Sequence, residues 1–170
     1  MDWTLRDATS ADLADVQLLN EAVTPAVNSL DLKELGWFLQ HASYFRLVRS
    51  DAGELLAFLI GIEEGRNYRS LNYQWFSQRY TRFAYVDRIA VATTGRRRGL
   101  ATVLYEDFIA RIASKSGRLV CEVNTRPRNE ASLAYHESLG FTAVGTQWTE
   151  NNTKEVVLLE RSLTQGINDE

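Results

Sequence analysis

Apolar and polar residues alternate and recur along this chain in a pattern that predicts a mixed series of strands and helices. Residues 3–8 read as a short strand. Thr9 or Ser10 then offers an N-cap for a helix whose apolar side holds Leu13, Val16, Leu18 and Leu19, and Thr24-Pro25 ends it. Over residues 32–40, Leu32, Leu35, Phe38 and Leu39 recur at helical spacing. Residues 44–48 and 55–62 are apolar runs on either side of Asp51-Ala52-Gly53, which predicts an antiparallel hairpin. Residues 63–82 break into polar and aromatic positions, among them Tyr68, Tyr73, Trp75, Phe76 and Tyr80. A connection of that length is functional or contains structure of its own.

The second half is more regular. Residues 83–91 form a strong strand pattern, and residues 100–114 keep the helical period through Leu100, Val103, Leu104, Phe108 and Ile112 before Gly117 stops it. A strand at 119–123, a short helix at 131–139 closed by Gly140, and a strand starting at 141–144 follow. Residues 146–150 and 156–161, punctuated by Asn151-Asn152, read as a closing hairpin. A strand, helix, strand succession pairs parallel strands through a right-handed crossover. The expected fold is therefore α/β (α+β), a mixed central sheet of about six to seven strands flanked by about four helices. It is expected as a single domain over residues 1–170, with a polar tail at 163–170.

Composition narrows the function. With 45% hydrophobic and 24% charged residues the chain is suited to a folded domain rather than to disorder. One cysteine, Cys121, and two distant histidines, His41 and His136, exclude a disulfide framework and give no metal-site spacing, so no metal is expected. Cys121 reads as a small core residue and His41 as a capping or surface residue. A net charge of -3 argues against a generally basic nucleic-acid or membrane-binding surface. Met1-Asp2-Trp3-Thr4 has no signal-peptide pattern and no apolar run approaches the roughly 20 residues of a membrane span, so a cytoplasmic location is expected.

Any anion site must then be local, and one stretch offers it. Between a strand ending at Val91 and a helix starting near Leu100 lies Gly95-Arg96-Arg97-Arg98-Gly99-Leu100-Ala101. Small residues at Gly99 and Ala101 allow close backbone approach, and the helix start directs amides and its dipole at an anion. Neither the nucleotide P-loop nor the dinucleotide glycine spacing is present. Arg96, Gly99 and Ala101 instead resemble the pyrophosphate motif Arg/Gln-x-x-Gly-x-Gly/Ala of the GNAT superfamily N-acetyltransferases. The segment from Asn129 through Tyr135 and His136 to Gly140-Phe141 is similar to a second motif of that family, with His136 where tyrosine is most frequent. The histidine version resembles phosphinothricin-type acetyltransferases.

The resemblance implies an acetyl-CoA-dependent N-acetyltransferase in which the amine of a small molecule or amino acid attacks the thioester directly in a ternary complex. It implies cofactor contacts from Ile89, Ala90, Val91, Arg96, Arg97, Arg98, Gly99, Leu100, Ala101 and Asn129. It also implies His136 as the acid for the leaving thiolate, with Tyr135 as the competing candidate. Asp87 is the first candidate for the base, because a carboxylate inside a strong strand is costly to bury without purpose; an ion pair with an arginine from elsewhere in the chain is the structural alternative. Glu122, on the neighbouring strand, poses the same question. Glu21, Tyr73, Tyr80 and Glu64 are candidates for the substrate side, together with Glu122. Homodimerisation is a family-level expectation. Competing readings are a non-catalytic acyl-CoA-binding module, a protein N-acetyltransferase and, disfavoured by charge, an arginine-mediated nucleic-acid binder.

Overall fold

The computed structural model describes residues 1–163, so the expected tail lies, apart from Leu163, outside the described residues. Among the described residues, hydrogen bonding links seven strands in the order β1 (Trp3–Asp7), β2 (Tyr44–Ser50), β3 (Leu55–Glu63), β4 (Ala84–Val91), β5 (Arg118–Arg126), β7 (Lys154–Ser162) and β6 (Thr142–Thr149). By its contacts the chain divides into two compact units, residues 1–62 with 86–108, and residues 63–85 with those from 109 onward.

The first unit opens with β1 (Trp3–Asp7), one residue shorter than expected. A 3-10 turn at Ser10–Asp12, fastened by a reciprocal capping box between Thr9 and Asp12, leads into α1 (Leu13–Ala22). α2 (Leu32–His41) starts from a second box, in which Asp31 accepts from the Glu34 amide and Glu34 accepts from the Asp31 amide. His41 closes that helix as expected of a capping residue: its ring stacks on Trp37 and Nδ1 lies 2.9 Å from the Trp37 carbonyl. Leu18 departs from its expected apolar face and lies exposed, as does Leu32, while Val16, Leu35 and Phe38 are buried.

The expected hairpin is present as β2 (Tyr44–Ser50) and β3 (Leu55–Glu63), antiparallel to each other, with β2 also antiparallel to β1. Eight successive residues of β3 are buried, which explains a run apolar on both faces rather than alternating. α4 (Leu100–Phe108) is tied to β2 by Asp107, which accepts from Tyr44 Oη at 2.8 Å and from Arg46 at 2.7 Å. Gly61 makes room for Phe108: a β-carbon there would sit 2.5 Å from the ring.

β4 (Ala84–Val91) supplies residues to both units, its first two residues lying in the second. The long polar and aromatic connection ahead of it contains α3 (Leu71–Ser77), whose cap is Ser70 Oγ accepting from the Tyr73 amide. Tyr73, Phe76, Phe83 and Tyr85 form a buried aromatic cluster around it. The regular helix expected over 100–114 becomes π-helical at Ile109–Ala113 and regains one α-turn, α5 (Ser114–Ser116), before Gly117 ends it in the left-handed region. β5 (Arg118–Arg126) pairs parallel with β4 through Ala84↔Leu119 and Tyr85↔Val120, as the crossover argument requires.

α6 (Glu130–Ser138) follows, and then β6 (Thr142–Thr149) and β7 (Lys154–Ser162). The two strand segments expected at 141–144 and 146–150 are one strand, interrupted by a register shift between Ala143 and Gly145. Gly145 sits there against the Trp75 ring, where a β-carbon would approach Cζ2 to 2.5 Å. The glycine reads as a break in sequence, whereas in the fold it is where a ring meets backbone.

Candidate active site

The first unit holds the turn between β4 and α4. Ala92 donates its amide to Leu56 O at 2.8 Å, which anchors the end of β4 on β3. Gly95 lies so close to the same carbonyl that a β-carbon would stand 2.8 Å from it. Thr94 Oγ1 donates to Glu54 at 2.7 Å, fixing the other side of the turn. The backbone then takes the left-handed conformation at Arg97 (φ 60°) and again at Gly99 (φ 72°), immediately before the nine-residue helix α4.

This geometry suits a diphosphate. A glycine with left-handed φ and no heavy atom within 4 Å of a β-carbon position leaves open space before the first turn of a helix. The first amides of a helix have no intrahelical acceptor, and the helix dipole favours an anion there. Arg96 and Arg97 are exposed beside it, while Arg98 is half-buried and paired with Asp2 at 2.6 Å. Leu100 is buried beneath the helix start and Ala101 half-buried at it. Upstream on β4, Ile89 and Val91 are half-buried and Ala90 is buried.

Asp87 is engaged within β4 itself. Its side chain is 3% exposed and its Oδ2 accepts from Arg88 Nε at 2.8 Å, so the ion-pair partner is the adjacent residue rather than a distant arginine. Arg88 also donates through Nη1 to Asn20 Oδ1 at 2.9 Å and to the Asn28 carbonyl at 2.8 Å. Sequence reasoning missed Asn20 and Arg88 as partners; the available signals were a polar residue within the buried stripe of α1 and a charged one inside a strong strand. Glu21 is exposed, and its carboxylate accepts from Ser29 Oγ and from the Leu30 amide, which together hold it below the usual carboxylate range.

The second unit holds the other candidates. Tyr85 donates its hydroxyl to the Glu122 carboxylate, and Glu122 is half-buried. Tyr73, expected along the substrate side, is instead 1% exposed; its hydroxyl donates to Glu63 O at 2.6 Å and accepts from the Arg66 amide at 3.0 Å, and burial pushes the phenol up. Tyr80 is half-buried under the Arg118 guanidinium, 3.8 Å from its ring centre, and burial followed by the Glu160 carboxylate raises its phenol. Glu64 accepts from the Phe83 amide and Ser116 Oγ, so it too is engaged in the fold.

His136 lies on the buried side of α6 at 4% exposure, against Phe141 and edge-on to the half-buried Tyr135. Its Nδ1 is 2.7 Å from the Ser132 carbonyl, which can only accept, so in the neutral ring Nδ1 bears the proton and Nε2 a lone pair. Burial pushes its pKa down against the opposing effect of that hydrogen bond. Asn129, expected at the cofactor, is the N-cap of α6, its Oδ1 accepting from the Ser132 amide at 3.2 Å. Among the described residues no group of three or more His, Cys, Asp or Glu side chains is placed to hold a metal ion, and no helix is long and apolar enough to cross a membrane.

No curated protein matches the sequence. Solved structures match the fold. Ard1 from Thermoplasma volcanium aligns with a TM-score of 0.76 at 15% identity, covering 97% of this chain and 100% of that one. The ribosomal-protein-S18-alanine N-acetyltransferase of Escherichia coli aligns at 0.69 and 18% identity, covering 99% and 98%. A GNAT superfamily phosphinothricin acetyltransferase from Sinorhizobium meliloti, in complex with AcCoA, aligns at 0.70 and 17%, covering 100% and 93%. In sequence, residues 15–141 match the acetyltransferase (GNAT) family, a span that includes the glycine-arginine turn, β5 and α6. The chain therefore belongs to the GNAT acetyltransferase family and is an acyltransferase.

Proposed function

We propose that this enzyme transfers an acetyl group from acetyl-CoA to the primary amine of a small molecule or amino acid, as a single N-acetyltransferase domain over residues 1–170. The observation that carries the reading is the open, left-handed Gly99 at the start of α4, flanked by Arg96, Arg97 and Arg98. Acetyl-CoA would supply the acetyl group as an activated thioester. The amides at Gly99, Leu100 and Ala101 and the three guanidinium groups hold its diphosphate, and Ile89, Ala90 and Val91 contribute backbone polar groups along the arm. A backbone amide in that stretch stabilises negative charge on the carbonyl oxygen. Asn129 contributes its amide nitrogen to the arm while its oxygen caps α6.

The acceptor arrives as an ammonium with a pKa near ~10 and must lose a proton before attack. Carboxylates serve that need: Glu122, held by Tyr85, and Glu21 are assigned to attract the cation, and Tyr80 to the acceptor side. Asp87 accepts the proton while its Oδ2 remains bound to Arg88. His136 returns a proton to the departing thiolate from Nε2, which requires its imidazolium form because Nδ1 is committed to Ser132. The Tyr135 hydroxyl is the alternative donor.

Transfer to a protein or peptide amine is the second reading, favoured by the fold shared with the E. coli ribosomal-protein-S18-alanine enzyme. Following CoA release with a thiol reagent over a panel of amines, amino acids and lysine or amino-terminal peptides separates the two. Turnover on small amines alone supports the first reading, turnover on peptides alone replaces it with the second, and CoA binding without turnover on any acceptor defeats both. Location in the cytoplasm and assembly as a homodimer belong to the same proposal; size-exclusion chromatography with light scattering tests the second.

A further inference from the structure

A buried polar network in the first unit organises the connection between α1 and α2. Arg88, 8% exposed, lies at its centre. Its Nη1 donates to Asn20 Oδ1 and to the Asn28 carbonyl, its Nε donates to Asp87, and its guanidinium carbon stands 5.8 Å from the Phe38 ring centre. Asn20, itself fully buried, returns an Nδ2 hydrogen bond to the same Asn28 carbonyl at 3.0 Å and a longer one to Glu21 Oε1 at 3.4 Å. Glu21 in turn accepts from Ser29 Oγ and the Leu30 amide, and Gln17 donates to the Leu30 carbonyl. One side chain on β4 thus fixes both the end of α1 and the segment that returns to α2.

Residues 23–29 are exposed or half-buried; Val23, Thr24 and Ala26 make turn hydrogen bonds to the carbonyls of Asn20, Glu21 and Val23, and Asn28, Ser29 and Leu30 are tied in by the network around Arg88. A guanidinium is suited to that network because it offers several donors spread over three nitrogens in a fixed plane, whereas the three donors of an ammonium all radiate from one atom. Resting on the assignment of Glu21 to the acceptor side, we infer that Arg88 is a positioning residue for the acceptor: through Asn20 and Asn28 it sets the placement of the Glu21 carboxylate and of residues 23–29, and so determines which amines are accepted.

The test uses the full chain with Arg88→Met, Arg88→Lys and Glu21→Gln. Hydrogen–deuterium exchange, measured without any substrate, should show residues 23–31 exchanging at least about tenfold faster in Arg88→Met, with α4 unchanged and CoA still protecting the protein against heat. Kinetics should show the Michaelis constant for the amine raised about tenfold in Arg88→Met and in Glu21→Gln, that for acetyl-CoA within about twofold of the parent, and partial recovery in Arg88→Lys. Unchanged exchange at residues 23–31 overturns the inference whatever the kinetics give. So does a rise of both Michaelis constants together, which marks a general structural role. A parent enzyme that turns over no amine defeats the proposed function, and the positioning role with it, while the exchange result still decides whether Arg88 orders the segment.

Discussion

The hydroxyl of Tyr85 reaches both oxygens of the Glu122 carboxylate, at 2.9 and 2.7 Å, across the parallel pairing of β4 with β5. A buried phenol directed at a half-buried carboxylate stabilises the charged form in a place where water cannot fully solvate it. Hydrogen bonds to charged groups contribute about 1.5 to 3 kcal/mol. Tyr85→Phe should lose stability on that scale in denaturant unfolding. Glu122→Gln, which keeps the shape and an acceptor oxygen, should cost less and should raise the Michaelis constant for the amine if Glu122 receives the ammonium.

Gly99→Glu introduces a side chain and a negative charge where the turn before α4 opens, and forces a residue with a β-carbon into a left-handed φ of 72°. CoA should protect the parent against thermal unfolding and protect the variant much less. Equal protection of both proteins would remove the diphosphate from this turn.

Asn129 caps α6 with its oxygen, and an amide has a second function to offer. Asn129→Asp preserves the cap but loses the nitrogen donor, whereas Asn129→Ala loses both. Stability should fall by about 1 kcal/mol in the alanine variant and stay near the parent value in the aspartate variant. A Michaelis constant for acetyl-CoA raised in both points to cofactor contact; one that follows stability points to the cap alone.

His136→Phe should lower turnover by roughly tenfold to a thousandfold, the range for a positioned acid, with acetyl-CoA binding nearly intact. Full turnover here with loss in Tyr135→Phe assigns the proton to the tyrosine. The same histidine bears on stability. Its folded pKa lies below the unfolded value near ~6.5, so the unfolded chain binds more protons between the two. Its contribution is present above about pH 6.5 and is lost as pH falls toward the folded value. Urea midpoints of the parent should drop over that window, and those of His136→Phe should drop less.

Asp12 gives a second acid-sensitive contribution. Its buried carboxylate accepts from Arg6, Arg49 and the Thr9 amide, and the Arg6 hydrogen bonds hold it well below the usual carboxylate range. The stability it adds is present above the unfolded pKa of about 3.9 and is lost as pH falls below it. Asp12→Ala should cost about 2 to 4 kcal/mol at neutral pH and flatten the acid limb of the unfolding curve.

Much of the fold was legible because its signals are local. The hairpin turn at Asp51-Ala52-Gly53, the period of α4 and the glycine before it each depend on a few neighbouring residues. α3 was hidden because Tyr73 and Phe76 are buried by Phe83 and Tyr85, which lie beyond the helix itself, so its short pattern looked like an interruption. The glycine-arginine turn was legible as a turn between a strand and a helix, and its reading as a pyrophosphate site came from the motif it resembles. The partners of its candidate acids and bases were not: Asp87 meets its own neighbour, Tyr85 meets a residue 37 positions away, and His136 bonds one turn back along its helix. Such choices are made by packing, which no local window contains.

The burial of Cys121 has a use at the bench. The chain contains one thiol, 2% exposed on β5. A colorimetric disulfide reagent added to the folded enzyme should therefore report CoA alone, with almost no background from the protein. When the chain opens, each molecule yields one reactive equivalent. The slow drift in a blank holding neither acceptor nor acetyl-CoA then becomes a direct count of molecules that have opened, so one reagent reads both turnover and the lifetime of the folded state.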